Sequence, residues 1–161
     1  MALPNRPYTD QITMATTSAA PASLRNLSYV DCSNVYVNTS SIVRTPYCAG
    51  AFAKRAFKKG EVVEVGIVRL VECNGHKNPY LFTWSEDRTR WALASGCATF
   101  YNCSTDPNTH MERDFENYRF VITATRDIEK DEELTHTYRS LRWRKVFAED
   151  EALQKSNPIV V

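Results

Sequence analysis

Two stretches hold the polar residues whose types and spacing could do chemistry. The first is Phe100-Tyr101-Asn102-Cys103-Ser104-Thr105-Asp106-Pro107-Asn108, an apolar run that ends in a turn-forming Asp-Pro-Asn. The second is Asp131-Glu132-Glu133-Leu134-Thr135-His136-Thr137-Tyr138, an acidic turn followed by a strand-like segment. Taken singly, each has a structural reading: Asp-Pro-Asn makes a turn, and a tyrosine closing a β-rich run packs in a core. Their order and separation are the informative part. Metal chemistry could start from Cys97 with Cys103, or from Cys73 with His76, but neither pair has the Cys-x-x-Cys spacing of a zinc site. No metal is expected, and these thiols read as small buried hydrophobes.

The elements that must position these stretches are short. A chain of 161 residues with 43% hydrophobic content suits one domain with one core. Residues 1–28, rich in Ala, Ser, Thr and Pro and without helical or strand period, read as a flexible tail. From Tyr29 the pattern turns to short β segments: Tyr29-Val30, Val35 alternating with Val37, and Ile42-Val43, then a break over Arg44–Gly50. A strand at Ala51–Ala53, a Lys59-Gly60 turn and a strand from Glu61 to about Val71 follow. Tyr80–Trp84 follows a polar loop, Trp91–Phe100 is an apolar run after a charged turn, and Met111–Phe115 and Tyr118–Ala124 read as two strands joined around Glu116-Asn117. Residues 141–154 have helical spacing through Trp143, Val146, Phe147 and Leu153. The fold class is mostly β with few short helices, in a domain over 29–147 closed by its C-terminal segment, with 148–161 a second tail.

Charge and composition narrow the partners. Twenty basic against 19 acidic residues, a net charge of +1, give no basic field for nucleic-acid binding. No apolar run reaches the roughly 20 residues of a membrane span, and the N-terminal region lacks the basic-then-apolar order of a secretory signal. Five scattered cysteines argue against a disulfide framework and for an intracellular, soluble protein. A homodimer is compatible with all of this.

Phe100–Asn108 resembles the Asn-His-Ser-x-x-Pro-Asn motif of SET-domain protein-lysine methyltransferases, and Glu132–Tyr138 resembles that family's Glu-Glu-Leu-Thr-x-x-Tyr motif. Residues 48–65 look like the family's opening, a glycine-rich loop, a Gly-x-Phe-Ala strand and a Lys-Gly-Glu-x-Val turn. The resemblance covers residues 34–146 and is greatest to the compact SET proteins of large DNA viruses, which lack a post-SET zinc cluster; no cysteine follows Tyr138. It implies several small β-sheets around a threaded, pseudoknot-like C-terminal segment. It also implies S-adenosyl-L-methionine as cofactor and a lysine-bearing protein substrate, a histone tail, with a nuclear location to match.

Residue by residue, the resemblance makes Tyr138 the catalytic hydroxyl and Tyr80 an aromatic wall of the lysine channel. His136 and Tyr101 fall beside that channel. Cys48, Ala49, Gly50, Asn102, Cys103 and Trp143 fall at cofactor positions. Such a reaction brings a sulfonium methyl and a neutral amine into line, and alignment supplies most of the help. Free lysine ionises near about 10.4, so an apolar channel and the neighbouring sulfonium charge must disfavour the ammonium form. Cys48 replaces a family glycine, and a positive φ there would carry strain. Cys103 replaces a histidine whose backbone groups read the adenine edge, which cysteine also provides. With Arg139, these departures motivate a competing reading: a SET fold that has lost transfer and binds a peptide or partner.

Overall fold

The computed structural model describes residues 29–42, 48–140 and 143–144. The expected tails at 1–28 and 148–161, the segment around Val43 to Tyr47 and most of the helical stretch 141–154 lie outside these residues. Nine strands are described: β1 (Val35–Thr39), β2 (Ala49–Ala53), β3 (Val62–Val71), β4 (Phe82–Thr83), β5 (Trp91–Ala94), β6 (Asn102–Cys103), β7 (Thr109–Asp114), β8 (Arg119–Ala124) and β9 (Glu133–His136). Two 3-10 turns, Gly75–Lys77 and Ala98–Phe100, complete the regular structure of the described residues. No helix among them is long and apolar enough to cross a membrane.

The strands form two sheets, ordered β1-β2-β9-β6 and β4-β5-β3-β8-β7. Tyr80–Trp84 is regular only over Phe82–Thr83, and the Trp91–Phe100 run splits into β5 and a 3-10 turn. β7 and β8 pair as the sequence suggests, from Thr109↔Ala124 to Asp114↔Arg119. The chain therefore leaves β6, builds the β7–β8 hairpin in the other sheet, and returns as β9 into the gap between β2 and β6. β6 and β9 run parallel, with Asn102 opposite Thr135 and Cys103 opposite His136. This threading joins the two chemical stretches side by side.

Small residues make that insertion possible. β2 reads Ala-Gly-Ala-Phe-Ala, with Ala51 and Ala53 fully buried, so β1 and β9 close on either side of it. Gly50 is required by proximity: a Cβ there would stand 2.4 Å from Glu133 Oε1 and 3.2 Å from Ser40 Cβ. The core gathers Phe57, Trp84, Tyr101, Phe120, Ile122, Ile128 and Leu134 beneath both sheets.

β3 is the exception to simple strand alternation. Val63, Glu64, Val65 and Gly66 are all buried, next to a register shift between Val62 and Glu64. A bulge breaks the in-out alternation, and both faces of β3 are covered. The result is a carboxylate in the core: Glu64 is 1% exposed.

Candidate functional site

Asn108 ties the two stretches together. Its Nδ2 donates to Glu132 Oε1 (2.9 Å) and to the Glu133 carbonyl (2.8 Å), while its Oδ1 accepts the Thr135 N–H at 2.8 Å. Thr109 Oγ1 adds a bond to the Thr135 carbonyl at 2.7 Å. The bonds to Thr135 are buried and those to Glu132 and Glu133 partly so; an unmade buried bond would cost about 1–3 kcal/mol per group, so Asn108 also fixes the register of β9. Glu132 closes the acidic turn by accepting the Glu129 N–H at 2.9 Å and pairing with Arg126 at 2.7 Å. Burial works against its charge, but hydrogen bonds from Arg126, Glu129 and Asn108 outweigh it and hold the carboxyl below the usual range.

On the other side of β9, Asn102 forms a second polar cluster. Its Nδ2 donates to Glu133 Oε1 (2.8 Å), Ser40 Oγ (3.0 Å) and the Ala49 carbonyl (3.1 Å). Ser40 Oγ and the Ser41 N–H in turn donate to the two Glu133 oxygens, at 2.6 and 3.0 Å. The three acceptors around Nδ2 fix the amide orientation and turn Oδ1 away from them. Cys48, Ala49, Gly50, Asn102 and Cys103 therefore gather at one end of the four-stranded sheet.

A cleft of about 390 Å³ opens beside this sheet, with Phe82, His136, Tyr138 and Trp143 in its lining. Tyr138 is tied back to the other stretch: its N–H donates to Cys103 Sγ at 3.3 Å and its hydroxyl to the Tyr101 carbonyl at 2.9 Å. His136 meets the Phe82 ring edge-on at 6.3 Å, the Tyr138 ring at 5.3 Å, and is stacked on Tyr101 at 5.7 Å and 12°. Burial first, then the charges of Arg113 and His110, push His136 down to about 3, so its imidazole is neutral at pH 7. A second cleft of about 530 Å³, on the β7 side, shares His136, Arg113 and Arg139 with the first.

The family model of the SET domain matches residues 49–139, more than half of the chain. The chain belongs to the SET-domain family. Solved structures of SET proteins share the fold. A Plasmodium falciparum chain assigned as a histone methyltransferase superposes with a TM-score of 0.52 at 24% identity, over 65% of this chain and 96% of that one. A polycomb repressive complex 2 in its basal, active form gives 0.53 at 25% identity, over 65% of this chain and 15% of that one. A humanized Chaetomium thermophilum polycomb repressive complex 2, bound to the inhibitor GSK126, gives 0.53 at 24%, over 66% and 15%. The chain thus spans nearly all of the first and about one seventh of the polycomb chains. A search of curated proteins finds no match in sequence.

Within this SET fold the candidate residues separate into groups. Tyr138, His136 and Trp143 line the first cleft; Cys48, Ala49, Gly50, Asn102 and Cys103 line neither cleft and cluster behind Tyr138. Trp143 packs against Trp91 and His76, with Arg88 over its ring at 5.2 Å. Two residues expected at the channel stand apart from the lining of both clefts. Tyr80 is 52% exposed and outside both clefts, because Asn78 Oδ1 accepts its N–H at 3.0 Å and holds it in a turn before β4 begins. Phe82, two residues on, is the ring that faces His136. Tyr101 is fully buried and backs His136 from behind.

What orients Tyr101 is Glu64, a residue with no motif signal. Its Oε2 accepts the Tyr101 hydroxyl at 2.9 Å and its Oε1 the Cys97 N–H at 2.7 Å. Gly96, at φ +68, leaves the room, since a Cβ there would sit 2.2 Å from Glu64 Oε1. Burial raises the Glu64 carboxyl to about 7 against the pull of these hydrogen bonds. The only hint in the sequence is an acidic residue inside the Val-Val-Glu-Val run of a long strand.

Proposed function

We propose that the chain is an S-adenosylmethionine-dependent protein-lysine N-methyltransferase. The observation that carries the reading is Tyr138: on the wall of a cleft with Phe82 and His136, its hydroxyl is committed as a donor to the Tyr101 carbonyl. A hydroxyl so committed presents its oxygen as an acceptor. An amine N–H donated to that oxygen would turn the nitrogen lone pair along the channel.

The residues around Asn102 fit the cofactor's amino-acid end. With its Nδ2 engaged by three acceptors, Asn102 offers Oδ1 as an acceptor for an ammonium group, and the Ala49 and Cys103 backbone lies beside it. S-adenosylmethionine would supply an electrophilic methyl on a sulfonium. The chain's part is alignment and exclusion of water: Phe82 and His136 make the channel aromatic and uncharged, which disfavours the lysine ammonium and favours the neutral amine. No residue has to form a covalent bond to the methyl group. Closure over the site by the segment after Tyr138, without zinc, as in compact SET proteins, is part of the same proposal.

Histones are the first acceptors to assay, because the similar solved structures include proteins named for histone methylation, and a nuclear location belongs to that choice. The competing reading is a SET fold that binds a peptide or partner without transfer. The test is a thermal melt with S-adenosylmethionine or its demethylated product, followed by incubation with labelled cofactor and a panel of histones and lysate proteins. A rise in Tm and label on a lysine side chain are expected. No shift at millimolar ligand sinks the enzyme reading.

A further inference from the structure

The cleft that holds Tyr138 is lined by four arginines, Arg88, Arg113, Arg139 and Arg144, against one carboxylate, Glu86. The whole chain is nearly balanced, with 20 basic and 19 acidic residues, so this excess is local. Arg88, Arg113 and Arg139 are absent from the ion pairs of the described residues. Arg113 donates to the Thr83 carbonyl at 3.3 Å and lies over the Phe82 ring, Arg88 lies over Trp143, and Arg139 is exposed. The positive field registers on neighbouring groups: Arg113 is pushed down by burial and by Arg139, and it helps push down His136. The sequence past Tyr138 keeps the same sign, with Arg139, Arg142, Arg144 and Lys145 before the next acidic residue, Glu149.

Resting on the methyltransferase reading, we infer that this cleft selects a lysine set among carboxylates: an acidic peptide segment with Asp or Glu flanking the target, engaged by Arg139 and Arg88. A lysine arrives as a cation and is repelled by such a wall. Flanking carboxylates reverse the sign of the approach, because guanidinium groups without an acidic partner form short, charge-assisted and often bidentate bonds to them. Like charges brought together suppress the wrong partner, so a lysine in an arginine-rich context is disfavoured, and on this inference the preferred acceptor is an acidic segment rather than a basic histone tail. Once the target side chain is in the channel, the same field also opposes its ammonium form. A nucleic acid is the lesser fit, since its backbone needs a basic track across the surface and the chain as a whole carries a net charge of only +1.

The experiment measures binding and transfer on one set of short peptides, each with a central lysine flanked by Glu, Ala or Arg, using the full chain with the demethylated cofactor for binding. By fluorescence anisotropy the Glu-flanked peptide should bind roughly tenfold more tightly than the Ala-flanked one, with the Arg-flanked peptide weakest. The ranking should shrink as salt is raised and invert in Arg139→Glu, an exposed position whose folding is checked by thermal melting. Equal or tighter binding of the Arg-flanked peptide overturns the inference, as does an unchanged ranking in Arg139→Glu or displacement of the Glu-flanked peptide by a short single-stranded oligonucleotide at equal concentration. Labelled methyl transfer to the same peptides separates the two claims. A charge ranking with no transfer to any lysine leaves the selection standing and removes the enzyme reading; transfer without the ranking does the reverse.

Discussion

Replacing Glu64 by Gln tests whether a charge is buried in the framework behind the site. Glutamine keeps the shape and can still accept the Cys97 N–H while its amide meets the Tyr101 hydroxyl, so packing survives and only the ionisable group is lost. Burial moves the carboxyl from 4.5 to about 7 in the folded chain. Between those values the folded state holds more protons than the unfolded state, so stability falls as pH rises. The group's favourable term is fully present below the unfolded value and is lost as pH climbs through about 7. The size follows from the same two values, about 3 kcal/mol, since each tenfold in proton affinity is worth about 1.4 kcal/mol. Urea unfolding of wild type and Glu64→Gln, from about pH 4.5 to about pH 8, isolates this group, because every other titrating residue cancels in the difference. The wild type should lose up to about 3 kcal/mol relative to the variant across that window. A difference that stays flat with pH would refute the upward shift of the Glu64 carboxyl.

Three further substitutions probe the site. Asn102→Ala removes the amide that Ser40, Ala49 and Glu133 share; it should cost about 1–3 kcal/mol and abolish the thermal shift given by the demethylated cofactor in a melting assay. Gly50→Ala drives a methyl group to 2.4 Å from Glu133 Oε1; overpacking of about 1–3 kcal/mol should appear as a lower Tm and weaker cofactor binding, and an unchanged Tm would mean that the Glu133 side chain is free to move. Asn108→Ala, which strips the ties to Glu132, Glu133 and Thr135, should be the most destabilising of the three by urea unfolding.

Much of this was legible in the sequence because local signals agree with the long-range topology. Pro107-Asn108 reads as a turn, and the chain bends there before β7; the asparagine also holds β9, which no local pattern announces but which the order of the two motifs implies. The β7–β8 hairpin follows from two apolar-alternating runs around Glu116-Asn117. The choice between Tyr80 and Phe82 was not legible, because aromatic residues two apart on either side of Leu81 differ in the sequence only by position. Which of them faces the cleft depends on where the Asn78 turn ends and β4 begins. Glu64 was out of reach for another reason. A carboxylate in an apolar strand ordinarily faces water, and its inward position depends on a bulge, on Gly96 and on Tyr101, three features contributed by distant parts of the chain. The basic character of the cleft was hidden in the same way, since a net charge of +1 says nothing of where the arginines meet.

The most direct test of the central claim is single-turnover methyl transfer from labelled S-adenosylmethionine to a lysine peptide by wild type and Tyr138→Phe. The substitution keeps the ring against His136 and removes only the hydroxyl that donates to the Tyr101 carbonyl. Loss of one positioned hydrogen bond in a dry site is worth on the order of 3 kcal/mol, about a hundredfold in rate. The account predicts that wild type labels the lysine and that Tyr138→Phe stays folded, with stability lowered by about the one lost hydrogen bond to the Tyr101 carbonyl, roughly 1–3 kcal/mol, and binds cofactor like wild type while transferring about a hundredfold more slowly. Transfer by a folded, cofactor-bound Tyr138→Phe within a few-fold of wild type would contradict it.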